Sequence, residues 1–164
     1  MFQGPLILTT SFPTAKRRKL SDLQGLDPLI LVLGRGGYCP KDRHQFELLV
    51  QLHREIEVGY CRLVTITTAN LKETSEYRTG VGANWPFLSD AGRIVQKDLD
   101  IAEYTDPHHN PMIPHVIVLE PGLVVYKIYN GYWFFGRPTT KNSARICVRC
   151  SRNAAQTGTS PHPK

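Results

Sequence analysis

The sequence predicts an α/β domain in which a central mixed sheet is flanked by helices. The first observation is the stretch Leu29 to Asp42, which reads as a buried strand, a glycine-rich turn, a cysteine and the start of a helix. The second is residues 61–68, whose β-branched and apolar composition adds a parallel strand after that helix. The third is a pair of apolar runs around Pro121-Gly122, which predicts an antiparallel hairpin.

The composition fits one soluble domain with its own core. The chain has 164 residues, of which 41% are hydrophobic and 21% charged. No apolar run approaches the roughly 20 residues of a membrane span, and the N-terminal residues lack the pattern of a signal peptide. We therefore expect a cytoplasmic protein that does not associate with membranes. Four cysteines in a chain of this length do not indicate a disulfide scaffold.

The net charge of +6 raises the question of nucleic-acid binding. Much of this charge comes from the basic run at residues 16–19 and from the tail, whereas the middle of the chain is mixed in sign. The basic run is more typical of a solvated turn, and neither interleaved aromatic residues nor zinc-finger spacing accompanies it. We expect no nucleic-acid partner.

The N-terminal part is expected to form a short strand at residues 6–10, the basic turn, and a turn or single helical turn at residues 20–25. We divide the chain into residues 1–19, with the strand and basic turn, a domain at residues 20–138, and a polar tail at residues 139–164.

Cys39 is predicted to lie at the N-terminus of a helix. Pro40 suits the first helical position because proline has no N–H group to leave unbonded there. Apolar side chains then recur at helical spacing, namely Phe46, Leu49, Leu52 and Ile56. A thiol at a helix N-terminus faces the positive end of the helix dipole, which lowers thiol pKa values. The alternative is that Cys39 is a small buried hydrophobic residue. We expect Cys61 to begin a buried strand and to be inert.

The second half of the domain contains shorter elements. A helix is predicted over residues 70–80, ending at Gly80, and a connector or edge strand over residues 85–90. A brief helix follows at residues 92–101, then a loop at residues 104–114. After the hairpin strands at residues 115–120 and 123–129, residues 130–138 form an aromatic loop that either packs over a sheet edge or binds a partner.

The tail is polar and is expected to be disordered, because only Ala144, Ile146 and Val148 could pack. Cys147 and Cys150 have the spacing of half a zinc site or of a redox pair, but no second pair stands at partner spacing. The adjacent His108 and His109 rarely point the same way in a loop. We therefore expect no metal and no cofactor.

Three motifs carry a resemblance to a known family. They are the decapeptide at residues 34–43 that contains Cys39, the tetrapeptide Phe-Leu-Ser-Asp at residues 87–90, and the decapeptide at residues 113–122. Together with the order of elements, they resemble the peroxiredoxin-like (alkyl hydroperoxide reductase and thiol-specific antioxidant) family of the thioredoxin-fold superfamily. The resemblance covers roughly residues 20–138. It implies a thioredoxin-like fold, in which the final covering helix is degenerate or missing.

The resemblance also implies roles for individual residues. Cys39 matches the attacking cysteine of the family, and Pro114 matches the cis-proline beside it. Tyr38, Arg35 and Arg43 would position the thiolate or the substrate, although Arg43 could instead lie outward in solvent. Cys147 or Cys150 would be candidates to resolve an oxidised Cys39, unless the tail cysteines have no role.

The sequence departs from the family at several positions. Val32 and Gly36 stand where typical members carry proline and a hydroxyl residue, and Pro114 aligns with their second arginine. Asp42 occupies the place of the second cysteine of Cys-x-x-Cys relatives, which excludes a dithiol cycle at this site. A carboxylate in that position would tend to raise the pKa of a neighbouring thiol.

The leading functional hypothesis is a thiol peroxidase with a single attacking cysteine. Cys39 would reduce a hydroperoxide, become a sulfenic acid, and be recycled by an external thiol reductant, either a thioredoxin-like protein or a low-molecular-weight thiol. The alternatives are a thiol-disulfide transferase and a non-catalytic thioredoxin-fold module that binds partners or senses redox state. A sheet face left uncovered would favour a homodimer.

Overall fold

The computed structural model describes residues 8–10, 16–131, 137–139, 142 and 145. The aromatic residues 132–136, Cys147, Cys150 and most of the expected polar tail lie outside the described residues. Within the described residues, seven strands form a single mixed sheet in the order β2-β1-β5-β4-β3-β6-β7. The strands are β1 (Leu8–Thr10), β2 (Lys16–Arg18), β3 (Leu29–Gly34), β4 (Arg62–Thr67), β5 (Phe87–Ser89), β6 (His115–Glu120) and β7 (Val124–Asn130). The helices are α1 (Leu20–Gln24), α2 (Pro40–Val58), α3 (Leu71–Val81) and α4 (Ile94–Asp98).

The centre of the sheet confirms the predicted βαβ unit. All six residues of β3 are buried, since β3 pairs in parallel with β4 on one side and antiparallel with β6 on the other. Two hydrophobic clusters pack on opposite faces of this strand, because Leu29, Leu31 and Leu33 belong to one cluster and Ile30 and Val32 to the other. Helix α2 contributes Phe46, Leu49 and Ile56 to the second cluster. The thioredoxin-like α/β arrangement is therefore as expected.

Helix α3 has strong end signals. Asn70 caps its N-terminus by accepting a hydrogen bond from the Glu73 backbone N–H at 2.9 Å, and the Glu73 carboxylate accepts from the Asn70 N–H at 3.1 Å. The expected end at Gly80 is one residue short. The helix ends at Val81, because Gly82 adopts the left-handed conformation (φ +73°) that terminates helices.

The expectation of a connector or edge strand near residues 85–90 is wrong in its position. Strand β5 lies inside the sheet, paired in parallel with β4 and antiparallel with β1. The N-terminal strand covers the edge that β5 would otherwise expose. Trp85, just before β5, is 2% exposed, and its indole N–H donates to the Thr65 hydroxyl at 2.9 Å.

The basic run is not a solvated turn over its whole length. Residues Lys16–Arg18 form β2, the outermost strand on one side of the sheet, paired antiparallel with β1. Charged residues on an edge strand are common because they oppose pairing with other chains. Near the run, Leu20–Gln24 forms the expected single helical turn.

The predicted hairpin is present at the other side of the sheet. Strands β6 and β7 pair antiparallel, and a three-residue loop, Pro121 to Leu123, joins them. Gly122 has φ +83°, as the proposed turn requires, but Leu123 is also left-handed, so β7 begins one residue later than expected. Strand β7 is the edge and leaves several apolar side chains exposed, namely Val124, Val125 and Ile128. Among the described residues, none of the helices has the length and apolarity needed to cross a membrane.

Candidate active site around Cys39

Cys39 is the last residue of the loop that connects β3 to α2. It is the N-cap residue of α2, with an extended backbone (φ −89°, ψ 111°), and Pro40 is the first helical residue, as predicted. The Cys39 N–H donates to the Gly36 carbonyl at 3.1 Å, and the Cys39 carbonyl accepts from the Arg43 N–H at 3.1 Å. The side chain is 5% exposed, and the thiol is not in a disulfide. Cys39 thus stands at the positive end of a 19-residue helix, and its side chain makes no hydrogen bond to the N–H groups of that helix.

The loop before Cys39 requires glycine at Gly36. Its φ of +119° lies in the region that residues with a Cβ rarely adopt, and a β-branched residue is the least suited to it. A hydroxyl residue, which typical members of the family that the motifs resemble carry at this position, would therefore be strained on this backbone. The conformation of the loop therefore favours glycine over a hydroxyl residue at position 36.

Asp42 anchors this loop from inside the protein. Its side chain is 1% exposed; one carboxylate oxygen accepts from the Arg35 backbone N–H at 2.5 Å, and the other pairs with the Arg137 guanidinium. The Gly36 N–H also hydrogen-bonds to this carboxylate. Burial raises the pKa of Asp42, while Arg137 and the backbone N–H groups oppose that rise. The residue at the second-cysteine position therefore holds the loop in place.

A polar cluster joins the Cys39 loop to the loop at residues 104–110. Arg35 pairs with the Asp106 carboxylate at 2.9 Å, and the Tyr38 hydroxyl donates to the same carboxylate at 3.3 Å. The Tyr38 ring stacks on His109 with a centroid distance of 3.8 Å and an interplanar angle of 7°, and the His109 ring nitrogen lies 3.0 Å from Asp106. The hydrogen bond from His109 is the main cause that lowers the pKa of Asp106, and burial raises the pKa of Tyr38.

The two arginines expected near the thiol have different surroundings. Arg35 is partly buried, its charge interacts with Cys39, and its Nε–H has no hydrogen-bond partner among the described residues. Arg43 is 58% exposed and pairs with Glu47 one turn further along α2 at 3.1 Å. Of the two alternatives that the sequence left open for Arg43, the structure supports the outward orientation in solvent. Of the two arginines, Arg35 is the one whose charge interacts with Cys39 and which is partly buried.

Pro114 is placed near the site, but it does not have the expected conformation. Residue Leu33 of β3 pairs with His115 of β6, so Pro114 lies at the same edge of the sheet as the Cys39 loop. No peptide bond between described residues is cis, so the expectation of a cis-proline at Pro114 is wrong. The Pro114 carbonyl instead accepts from the Gly131 N–H at 2.7 Å, and this contact closes the end of the hairpin.

Cys61 lies far from Cys39. It is 3% exposed and directly precedes β4, whose first residue, Arg62, pairs with Leu29 at the start of β3. Six residues of extended chain span about 20 Å, and this length separates Cys61 from the edge that bears Cys39. Cys61 lines a separate cavity of 420 Å³ at that opposite end.

A cavity of 490 Å³ adjoins the Cys39 loop. Its walls come from the loop, α3 and the loop after β4, and they include Arg35, Tyr38, Tyr77, Arg93 and His109. The Arg93 guanidinium is occupied by backbone carbonyls, among them that of Thr68 at 2.6 Å. Among the described residues, no cluster of three or more histidine, cysteine or acidic side chains could hold a metal ion.

The sequence predicts no site role for Tyr77, Asp106 or Arg137, and it brings up His109 only in connection with a metal site. Each lies far from Cys39 in the chain, and Arg137 is separated from its partner Asp42 by 95 positions. One feature of the sequence points to this cluster, namely the segment Asp106-Pro107-His108-His109, but the local pattern indicates only a loop that contains histidines.

The sheet order, the helix that follows Cys39 and the closing hairpin give a fold that is similar to that of several solved peroxiredoxin structures. The structure is similar to a crystal structure of peroxidoxin BcpB from Mycobacterium tuberculosis, with 18% identity and a TM-score of 0.72 over 87% of this chain and 90% of that one. It is also similar to reduced Prx3 in complex with hydrogen peroxide from Vibrio vulnificus, with 11% identity and a TM-score of 0.77 over 87% and 91% of the two chains.

A third similar structure is a yeast mitochondrial 1-Cys peroxiredoxin, with 13% identity and a TM-score of 0.75 over 92% of this chain and 76% of that one. No family model matches the sequence, and no curated protein matches it. The similarity therefore lies in the three-dimensional fold, which confirms the fold that the sequence motifs indicated.

Proposed function

We propose that this protein is a thiol peroxidase that reduces hydroperoxides through the single attacking cysteine Cys39. The observation that carries the proposal is the position of the thiol, at the N-terminus of α2 in a peroxiredoxin-type fold. Fold alone does not fix activity, so the proposal depends on this site. A cysteine at a helix N-terminus faces the positive end of the helix dipole, and such positions are typical of reactive cysteines.

The proposed reaction is the two-electron reduction of a hydroperoxide by the Cys39 thiolate. The Cys39 thiolate attacks the terminal oxygen of a hydroperoxide, an S–O bond forms, and the O–O bond breaks. The leaving alkoxide takes a proton from solvent and departs as an alcohol, or as water when the substrate is hydrogen peroxide. Cys39 is oxidised to a sulfenic acid, and the two electrons that it loses reduce the peroxide.

Arg35 is the residue best placed to stabilise the charges of this step. Its guanidinium interacts with Cys39 and retains an Nε–H donor without a partner among the described residues. The ion pair with Asp106 and the Tyr38 ring 5.7 Å from its guanidinium carbon hold it in position. Preorganised donors of this kind stabilise charge that develops as a bond breaks.

Recycling requires an external thiol in this proposal. One thiol condenses with the sulfenic acid, releasing water and forming a mixed disulfide, and a second thiol then displaces Cys39 as a thiol. Cys61 is not suited to this step because it lies at the opposite end of the strands. The yeast neighbour is described as a 1-Cys peroxiredoxin resolved by glutathione and thioredoxin systems, which supports a reductant of that class here. The role of Cys147 or Cys150, a homodimer and a cytoplasmic location stay predictions.

The test is hydroperoxide consumption by purified full-length protein with glutathione or thioredoxin as reductant. Wild-type protein is expected to consume peroxide, Cys39→Ser to lose the activity, and the matched control Cys61→Ala to retain it. A sulfenic-acid trap such as dimedone should label wild type at Cys39 after peroxide treatment. Equal consumption by wild type and Cys39→Ser would refute the assignment. Turnover of disulfides without turnover of peroxides would favour the transferase alternative.

A further inference from the structure

Arg93 is the side chain that ties together three separate segments next to the candidate site. Its guanidinium nitrogens donate to five backbone carbonyls, namely those of Thr68 at 2.6 Å, Asp90 at 3.4 Å, Ala91 at 3.0 Å, His109 at 3.2 Å and Asn110 at 2.9 Å. These carbonyls belong to the loop after β4, the turn after β5 and the loop at residues 104–110. One arginine therefore fixes the loop at residues 104–110 to the ends of two central strands.

The backbone at Arg93 is in the left-handed region, with φ +57° and ψ +32°. Residues with a Cβ rarely adopt this conformation, and it costs free energy. Gly92 would adopt it more easily and directly precedes Arg93, but the positive φ falls on the arginine. Hydrogen bonds from a charged donor are stronger than those from a neutral one and can offset such a cost. The strained backbone thus places a guanidinium between the three segments.

The loop that Arg93 binds is also the loop that holds Arg35. The Asp106 carboxylate accepts from the Arg35 Nη2 at 2.9 Å. The same carboxylate accepts from the His109 backbone N–H at 3.2 Å, and the His109 ring nitrogen lies 3.0 Å from it. The carbonyl of His109 is one of those that Arg93 binds. Arg93 is thus linked to Arg35 through two residues of one short loop, and both arginines line the 490 Å³ cavity.

A second side chain binds this loop, but it acts at the end of the loop. The buried Gln96 amide donates to the carbonyls of Asn110 at 3.0 Å and Pro111 at 2.8 Å. These contacts fix the point at which the chain leaves the loop. Arg93 reaches further, to His109, whose ring stacks on Tyr38 in the Cys39 loop. The contact between Arg93 and His109 is therefore the one that bears on the site.

We propose that Arg93 is a positioning residue of the peroxidase site, which holds the loop at residues 104–110 so that Asp106 keeps the Arg35 guanidinium at the Cys39 loop. The inference rests on the proposed function for its effect on peroxide reduction, whereas the placement of Arg35 can be measured without turnover. In this role Arg93 contacts neither the thiol nor the peroxide. It limits the motion of Arg35, because a donor stabilises developing charge best when it is held in place before the reaction.

Arg93→Gly tests the placement of Arg35 directly. Glycine adopts the left-handed backbone without strain, so the variant removes the guanidinium and adds no backbone cost in the folded state. In nitrogen-proton correlation spectra of the full-length protein, the signal of the buried Arg35 Nε–H is expected to shift or broaden. The Arg62 Nε–H donates to Asp27 at 2.8 Å at the opposite end of the sheet, and its signal should stay unchanged.

The rate of Cys39 oxidation by hydrogen peroxide gives the second readout. Arg93→Gly is expected to lower this second-order rate about 10-fold, because a small misplacement of a reacting group slows a reaction strongly. In an Arg35→Met background the same substitution should change the rate by less than about twofold, since no guanidinium is left to position. Arg78→Gln is the matched control. It removes another bond from an arginine to a carbonyl, that of Arg78 Nε to Trp85 at 2.9 Å, and should oxidise at the wild-type rate.

The outcomes separate the inference from the proposed function. An unchanged Arg35 signal in Arg93→Gly would overturn the inference and leave the peroxidase assignment intact. Equal losses of rate in the wild-type and Arg35→Met backgrounds would assign Arg93 a purely structural role and would also overturn it. If Arg93→Gly does not fold, Arg93→Lys, whose single ammonium cannot reach all the carbonyls, is judged by the same outcomes. A wild-type protein whose Cys39 does not react with peroxide would refute the proposed function, and the role of Arg93 in it, even if the Arg35 signal shifts.

Discussion

Replacement of Arg137 by methionine is the most direct test of the site as described. Arg137 pairs with Asp42 beneath the Cys39 loop, and the two side chains are 15% and 1% exposed. Methionine keeps much of the buried stem but removes the charge. The variant therefore leaves the Asp42 carboxylate in the interior with only the backbone N–H groups of the loop as partners.

The expected cost is about 3 kcal/mol in the free energy of unfolding at pH 8. Removal of one partner of a buried ion pair costs roughly 3–5 kcal/mol, and the lower end applies because Arg137 is not fully buried and Asp42 keeps its backbone hydrogen bonds. For a chain of this size, the melting temperature would fall by about 6–12 °C. The matched control is Arg43→Met, which breaks the exposed pair with Glu47 and should cost less than about 0.5 kcal/mol.

The free energy of unfolding that Arg137→Met loses should also depend on pH. Burial already raises the pKa of Asp42 in the folded protein, and loss of Arg137 removes the main opposing cause, so the pKa rises further. A carboxyl whose pKa is higher in the folded than in the unfolded state favours folding in its protonated form. Stability is therefore retained below the unfolded value of about 3.9 and lost as the pH rises through the folded value.

Urea unfolding of both proteins at several pH values checks this reasoning. The gap between wild type and Arg137→Met should be largest at pH 8 and should shrink as the pH falls toward about 4. Addition of Asp42→Asn to Arg137→Met should recover stability at pH 8, because it removes the unpaired charge. A gap below about 0.5 kcal/mol at pH 8, or one that does not vary with pH, would refute the buried ion pair as the anchor of the loop.

Two further predictions concern the loop cluster. Arg35→Met should slow the oxidation of Cys39 by hydrogen peroxide about 10- to 100-fold, as measured by stopped-flow fluorescence. The control Arg43→Met should oxidise at a rate within about twofold of wild type. Equal effects of the two substitutions would contradict the assignment of Arg35. Asp106 has a pKa lowered mainly by its hydrogen bond from His109, so its contribution to stability is present above about pH 3.9 and is lost as the pH falls through the folded value. Asp106→Asn should therefore flatten the acid side of the stability profile in urea unfolding, and an unchanged profile would show that the cluster does not stabilise the loop.

Much of the fold could be predicted from local patterns. The run of five apolar residues before Gly34 marked the central strand, and Pro40 with the apolar spacing behind it marked the start of α2. The Pro121-Gly122 turn between apolar strands marked the hairpin. These features are encoded within a few residues, because side-chain periodicity, proline geometry and turn chemistry act locally.

The predicted positions of two segments were wrong because strand pairing, which the local sequence does not show, determines where they lie in the sheet. The segment around Phe87 was expected at an edge, but β1 pairs outside it and makes it an inner strand. The basic run was expected to be a turn, but its residues extend the sheet beyond β1. The pairing of β5 with β1 joins segments that are far apart in the chain, and no local pattern indicates it. Strand β2 pairs with its neighbour β1, and this pair becomes part of the sheet only through the distant contact of β1 with β5.

The sequence by itself determined that a cysteine stands at the start of a long helix behind a buried strand, because the proline and the hydrophobic period specify that geometry locally. Only the tertiary structure decided what surrounds the thiol. Arg35 meets Asp106 across 71 positions and Asp42 meets Arg137 across 95, and Tyr77 is brought against the loop by the packing of α3 on the sheet. Contacts between groups so far apart arise when the folded core brings their elements together, and they leave no periodic trace in the chain.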